Sequence, residues 1–417
     1  MRFGKDSVLL CFQAELFCGF LDEEAVRARF EAYFFVISRR LSLFIPNFVQ
    51  WAGKSLPMCD RHGEMWRGAD RRACLSSFAL IMNVYLKEIT DMEMYSVKEL
   101  TGLVTTALAN VPFDRKPAGL YEPIRYVLSL GGKRIRPVLM LMAYNIYKED
   151  VESIMPVALG VEFYHNFTLL HDDLMDRADV RRGKPCVHKV WNDNTAILSG
   201  DNMLVMAYQL VSRCPAAYMP SVMNIFTETA LQIDEGQQYD IDFESRMDVT
   251  EAEYIEMIRL KTSVLLACAL KIGAVLGGAS EEDAQALYTY GEKVGLAFQL
   301  QDDYLDVYGD FKTFGKAIGG DILCNKKTFM LINALAHAPK ELKGELENWI
   351  AAKEFDAHEK IEAVRDIYTQ VGVDKMAQER ISAYIEEAER VLDGMSLPEE
   401  RKAVLHQWAE QLLGRNK

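Results

Sequence analysis

From residue 92 onward, apolar positions recur at three- and four-residue spacings over long runs. These runs predict helices over 137–147, 154–175, 196–212, 219–238, 251–276, 281–308, 327–336, 340–350, 358–372 and 376–392. Ser96 followed by Glu99 is a capping-box pattern that opens one more helix at Val97. Pro117 and Pro123 are expected to punctuate the connection that follows. Strand-like alternation is absent, and no repeat at a solenoid period is visible. The pattern predicts an all-α domain of ten or more helices.

The chain changes character near residue 92. Residues 1–91 carry 12 basic and 11 acidic side chains, Arg outnumbers Lys, aromatics are dense, and helical period is weak. Gly53-Lys54-Ser55 is not a phosphate loop, because no glycine stands five residues before Gly53. Residues 1–91 are expected to be an unassigned extension, either a small helical element or upstream sequence translated from a wrongly chosen start. The composition shift and the lack of motifs favour the second, with Met92 or Met94 as the true beginning. The second domain is expected to run from 92 to 417.

The 417 residues carry a net charge of −14, which argues against nucleic acid as a partner. An acidic chain can still take a diphosphate, because metal ions reverse the local sign of a carboxylate site. Eight cysteines are scattered without a CxxC pair or zinc spacing, as expected of buried thiols in a reducing cytoplasm. Glu15 cuts short the apolar run after Arg2 and Lys5, so no signal peptide is expected. No transmembrane segment is expected either; the closest stretch, 33–51, is interrupted by Arg39, Arg40 and Pro46.

Two predicted helices end in the same way. His171-Asp172-Asp173-Leu174-Met175-Asp176 closes one, and Gln301-Asp302-Asp303-Tyr304-Leu305-Asp306 closes another. In each, the acids at i and i+4 share a face and the acid at i+1 lies about 100° round. Three ionised carboxylates so close repel one another, and a hard cation bridging them and a substrate phosphate relieves that repulsion. One such cluster reads as an ordinary solvated helix end. Two with identical spacing suggest facing helices that clamp one polyanion through metal ions. Gly131-Gly132-Lys133-Arg134-Ile135-Arg136-Pro137 supplies three cations at a predicted helix start, with glycines that let backbone amides approach phosphate. Arg181-Arg182-Gly183 follows the first Asp cluster, and arginine matches phosphate oxygens with a planar fork of donors. Lys261-Thr262 and Lys316 are individually unremarkable.

Taken together, these motifs resemble the trans-isoprenyl diphosphate synthase (polyprenyl synthetase) family over about residues 94–417. The resemblance also rests on Gly236-Gln237, Phe298 through Asp303, and Gly315-Lys316 leading to Asp321 and Lys326. It implies a large helical bundle around a central active-site cavity, a cytoplasmic homodimer, and magnesium as cofactor, three ions per site. Asp172, Asp173, Asp176, Asp302, Asp303 and Asp306 would hold the metal on an allylic diphosphate. Arg181, Lys261 and Lys316 would contact that diphosphate. Lys133, Arg136 and Arg182 would bind isopentenyl diphosphate beside His165, and Lys326 joins the substrate-binding set. Thr262 and Gln299 would lie near the forming carbocation, so Lys261, Thr262, Gln299 and Arg181 are the implied catalytic residues. Arg415 and Lys417 resemble a basic tail that folds over the second diphosphate.

The resemblance further implies that residues before the first Asp cluster, Tyr164, Phe167 and Thr168 among them, floor the pocket for the growing chain. Phe167 without a two-residue insertion in the cluster resembles a geranylgeranyl-type pattern, although on a straight helix Phe167 lies roughly opposite the acids. Fifteen- to twenty-carbon products are expected, leaning to geranylgeranyl diphosphate. The alternatives are a longer-chain synthase for quinone side chains and a non-catalytic subunit of a heteromeric synthase. A terpene cyclase would replace the second acidic cluster with an Asn/Ser/Glu motif, and a plain helical interaction protein would need neither cluster nor cations.

Overall fold

The computed structural model describes residues 94–309 and 318–413, whose regular structure is helical except for one hairpin of two two-residue strands. The expectations for residues 1–91, Lys316, Arg415 and Lys417 fall outside the described residues. In chain order the helices are α1 Val97–Ala109, α2 Ala118–Ser129, α3 Ile135–Asn145 and α4 Met155–Met175. The hairpin β1 Val180–Arg181 and β2 Lys184–Pro185 follows, paired antiparallel. Then come α5 Val187–Val190, α6 Asp193–Val211, α7 Met219–Glu244, α8 Glu251–Ile258, α9 Val264–Gly277 and α10 Glu281–Tyr308. The last six are α11 Gly320–Leu323, α12 Phe329–His337, α13 Lys340–Ala351, α14 Ala357–Val371, α15 Val373–Gly394 and α16 Glu399–Leu413.

Local chemistry sets many of the boundaries. Ser96 and Glu99 form the reciprocal capping box expected at α1, and Thr250 and Glu253 form a second one at α8. Such caps satisfy backbone N–H groups that the first helical turn leaves without partners, each contributing about 1 kcal/mol. Pro123 lies inside α2 rather than in a connection, as a corrected expectation. It occupies the second turn of a short helix, where its missing N–H forfeits a single bond.

α9 is apolar on all sides and sits at the centre, packed against α3 and α10. That is the signature of a helix enclosed by others. The span Glu251–Gly277, which the sequence reading did not single out, is long and apolar enough to cross a membrane by length and composition alone. In the fold, 78% of its most apolar stretch is buried among neighbouring helices. One core gathers α1–α4, α6, α7, α9 and the first half of α10; a second gathers α8, the second half of α10 and α12–α15.

The expected helix over 251–276 is interrupted. Residues Arg259–Ser263 form a π-turn between α8 and α9. Such turns add a residue to the helical ladder and recur at functional sites. Lys261 and Thr262 lie in this turn.

Candidate active site

The two Asp clusters occupy the C-terminal ends of α4 and α10. Negative charge at a helix C-terminus opposes the helix dipole, so these positions carry an intrinsic penalty on top of mutual repulsion. Neighbouring cations offset part of it. Arg181 Nε and Nη2 donate to Asp173 Oδ1 across 2.8 and 2.6 Å, and Nη2 lies 3.6 Å from Asp172. Lys261 Nζ donates to Asp172 Oδ1 at 3.1 Å and to Asp240 Oδ2 at 2.6 Å. Burial and the Asp172 charge still push the Asp176 carboxyl up.

The second cluster is more enclosed. Asp303 is buried and accepts hydrogen bonds from the Tyr254 hydroxyl and from Gln299 Nε2 at 3.2 Å. Burial, then the nearby Asp321 charge, push its carboxyl up to about 7 despite those donors. Asp306 Oδ2 accepts from the Asp321 backbone N–H at 3.0 Å. Thr262 Oγ1 donates to Gln299 Oε1 at 3.3 Å, so the π-turn, Gln299 and Asp303 form one chain of hydrogen bonds. Burial opposes the charge of Lys326, yet Asp240, Asp321, Asp303 and Asp172 around it raise its pKa. A cavity of about 160 Å³ opens here, lined by Lys261, Thr262, Gln299, the second cluster, Asp321 and Lys326.

A separate group of cations surrounds His165. Arg136 Nη1 lies 3.1 Å from His165 Nε2; a guanidinium can only donate, so Nε2 accepts and the ring is neutral. Burial, followed by Arg136, Arg182, Arg181 and Arg134, holds the imidazole well below its usual pKa. Burial also lowers Arg136 to about 10. Arg182 Nη1 donates to the carbonyl of Gly131, tying the β-hairpin to the Gly131–Pro137 turn. Arg134 departs from the reading of three phosphate-facing charges in that turn. Its Nη1 pairs with Glu162 at 2.7 Å, its Nη2 donates to the Leu128 carbonyl at 2.6 Å, and both partners of the ion pair are buried. Removing one partner of such a pair strands a charge at a cost of about 3–5 kcal/mol.

Residues 117–368 match the sequence pattern of the polyprenyl synthetase family. The chain belongs to that family. It is accordingly a transferase of prenyl groups. It is 39% identical to a geranylgeranyl diphosphate synthase of Methanosarcina mazei over 323 residues, 76% of this chain and 97% of that protein. A geranylgeranyl pyrophosphate synthase of Geoglobus acetivorans is 37% identical, covering 71% of this chain and 91% of that one. Among solved structures, a geranylgeranyl pyrophosphate synthase matches with a TM-score of 0.74 and 43% identity, over 78% of this chain and all of that one. A Corynebacterium glutamicum geranylgeranyl pyrophosphate synthase, complexed with isoprenyl diphosphate and magnesium, matches with a TM-score of 0.68 and 27% identity. That match covers 77% of this chain and 98% of that one.

On α4 of this prenyl synthetase, Phe167 stacks edge-on between His171, centroids 4.9 Å apart, and Tyr164, 5.4 Å apart. Tyr164 is fully buried and meets Phe226 of α7 at 5.3 Å. Thr168 turns its hydroxyl back to the His165 carbonyl at 2.9 Å. The sequence reading did not single out Asp240 or Tyr254 as site residues, and it named Asp321 only as part of a motif. Asp240 stands four residues after Gly236, and Tyr254 stands two turns before Lys261. Those helical spacings were the available signal.

Proposed function

We propose that this enzyme condenses isopentenyl diphosphate with allylic diphosphates to give fifteen- to twenty-carbon prenyl diphosphates, chiefly geranylgeranyl diphosphate. The observation that carries the reading is Lys261 bridging Asp172 of the first cluster while lining the cavity of the second. Both acidic motifs thereby serve one cleft.

The donor set fits magnesium. All six side chains offer hard carboxylate oxygens; burial raises the Asp303 and Asp176 carboxyls first, and the neighbouring Asp321 and Asp172 charges add to it. Asp172, Asp173, Asp176, Asp302, Asp303 and Asp306 would hold the ion; in this structure Asp172 pairs with Lys261, Asp173 with Arg181, and Asp303 accepts from Tyr254 and Gln299. Bound there, magnesium supplies Lewis-acid neutralisation of the leaving diphosphate.

The chain's own residues do the rest. Lys261, Lys326 and Arg181 hold the allylic diphosphate and favour departure of its charge as the C–O bond breaks. Thr262 and Gln299 line the same cavity and would stabilise the carbon that becomes electron-poor. Arg136, Arg182 and Lys133 orient isopentenyl diphosphate, with neutral His165 fixing Arg136. Its double bond forms the new C–C bond, and a proton then leaves from the adjoining carbon to the released diphosphate. The Phe167–Tyr164 stack closes the pocket on the growing chain and favours a short product.

Exposed apolar residues Ile197, Leu198 and Val205 on α6, with Leu231 on α7, support a homodimer through these helices. Asp172→Ala and Asp302→Ala should each lower turnover at least about a hundredfold, because the developing charge loses its stabiliser. Full activity in both variants, or in chelator, would contradict the reading.

A further inference from the structure

The segment from Gly319 to Lys326 begins and ends at the candidate active site. The Gly319 N–H donates to the Asp306 carbonyl at 2.7 Å, and the Asp321 N–H donates to its carboxylate. At the other end Lys326 N–H returns to the Asp321 carbonyl at 2.9 Å, and the Lys326 side chain lines the cavity. Between these points the segment rests on α14. A Cβ on Gly319, whose φ is +82°, would lie 2.6 Å from Ile361 side-chain atoms, so the backbone lies directly on that residue.

The neighbouring Lys360 is 1% exposed. Its Nζ donates to Asn325 Oδ1 at 2.8 Å and to the Leu323 carbonyl at 3.5 Å, and it stands 4.2 Å from the centroid of the Phe355 ring. No carboxylate is among these partners. An ammonium buried without an anion is costly, and burial lowers the pKa of this one. Nothing in the condensation chemistry calls for a cation at this place. Asn325 itself is left-handed, φ +53°, and its Nδ2 donates to the Ile350 carbonyl at 3.2 Å. Asparagine tolerates that conformation, and side-chain bonds at both of its amide atoms fix the turn. The residue that emerges from the turn is Lys326.

We infer that Lys360 is a positioning residue: through Asn325 and the Leu323 carbonyl it sets where the Gly319–Lys326 segment presents Asp321 and Lys326 to the active-site cavity. The inference rests on the reading that Lys326 contacts a substrate diphosphate in that cavity. Lys360 touches neither substrate nor metal. Its buried ammonium anchors the turn that follows the four-residue helix α11.

The test is steady-state kinetics of the full chain with Lys360→Met, Asn325→Gly, their double variant, and Lys326→Ala, each normalised to folded enzyme. Methionine keeps the volume and removes the donor. Glycine keeps the left-handed backbone and removes the acceptor, so Asn325→Gly reports even where Lys360→Met does not fold. Each single variant should lower kcat/KM for the allylic diphosphate by roughly ten- to a hundredfold, the scale expected of an ångström-level misplacement. KM for isopentenyl diphosphate should stay near wild type. The double variant should lose little more than either single one, since both break the same contact. Wild-type kinetics in Lys360→Met and Asn325→Gly, with Lys326→Ala impaired, would overturn the inference alone. An equal loss towards both substrates, or lowered thermal stability with unchanged kinetics, would also overturn it. Wild-type kinetics in Lys326→Ala would overturn the diphosphate reading first, and the inference with it.

Discussion

A Cβ placed on Gly236 of α7 would lie 2.4 Å from the backbone nitrogen of Lys261 in the π-turn. Gly295 of α10 meets the same turn from another side, its Cβ position 2.8 Å from Ser263 Cα. Two glycines thus let two helices close on the turn that carries Lys261 and Thr262. Backbone cannot yield as a flexible side chain does, so Gly236→Ala should force α7 and the turn apart. The expected cost is about 1–3 kcal/mol of stability, the usual range for overpacking. Turnover should fall together with it, because Lys261 leaves Asp172 and Asp240. Thermal unfolding and kinetics on the same sample check both, and wild-type values for both would contradict the close approach.

His165 gives a pH dependence. Its folded pKa is depressed well below 6.5, so the unfolded chain binds a proton that the folded one does not. Stability is therefore present above pH 6.5 and is lost as pH falls from 6.5 towards the folded value, at about 1.4 kcal/mol per pH unit while the difference is one proton. His165→Gln removes this term. Denaturant unfolding of wild type and variant between pH 5 and 8 should give curves that run parallel above pH 6.5 and diverge below it, with wild type the steeper. Parallel curves throughout would contradict a neutral His165 among the four arginines.

Phe167 closes the pocket only if its ring is what the growing chain meets. Phe167→Ala should lengthen the products by one or a few five-carbon units, while the metal requirement stays intact. The buried Tyr164 behind it sets the next limit, since a close-packed wall yields only with strain. Mass analysis of the products distinguishes this from an unchanged distribution, which would make Phe167 ordinary core.

A chain beginning at Met94 should keep its helical content and activity. Met94 directly precedes the contact of the Tyr95 N–H with Asn145 Oδ1 at 2.8 Å and the Ser96 cap of α1. Loss of activity or aggregation of the shortened chain, with the full chain sound, would show that residues 1–93 are a working part of the enzyme.

What the sequence revealed and what it hid follow the range of the interactions. The caps at Ser96 and Thr250, the long helices and the two acidic helix ends depend on residues a turn apart, and periodicity exposes them. The π-turn was hidden because its surroundings, Gly236 and Gly295 close against its backbone, exist only once α7 and α10 have packed. Arg134 read as one more phosphate cation because its partner Glu162 stands 28 residues away on α4. Tyr254 and Asp240 looked like ordinary helix residues until the fold brought them to Asp303 and Lys261. Lys316, Arg415 and Lys417 remain sequence expectations.

The central claim is the condensation itself, and product mass tests it most directly. Enzyme with magnesium, isopentenyl diphosphate and each allylic starter in turn should give mainly the twenty-carbon diphosphate, with fifteen-carbon product as the minor species. Absence of any condensation product, or products mainly of thirty-five carbons and longer, would contradict the account.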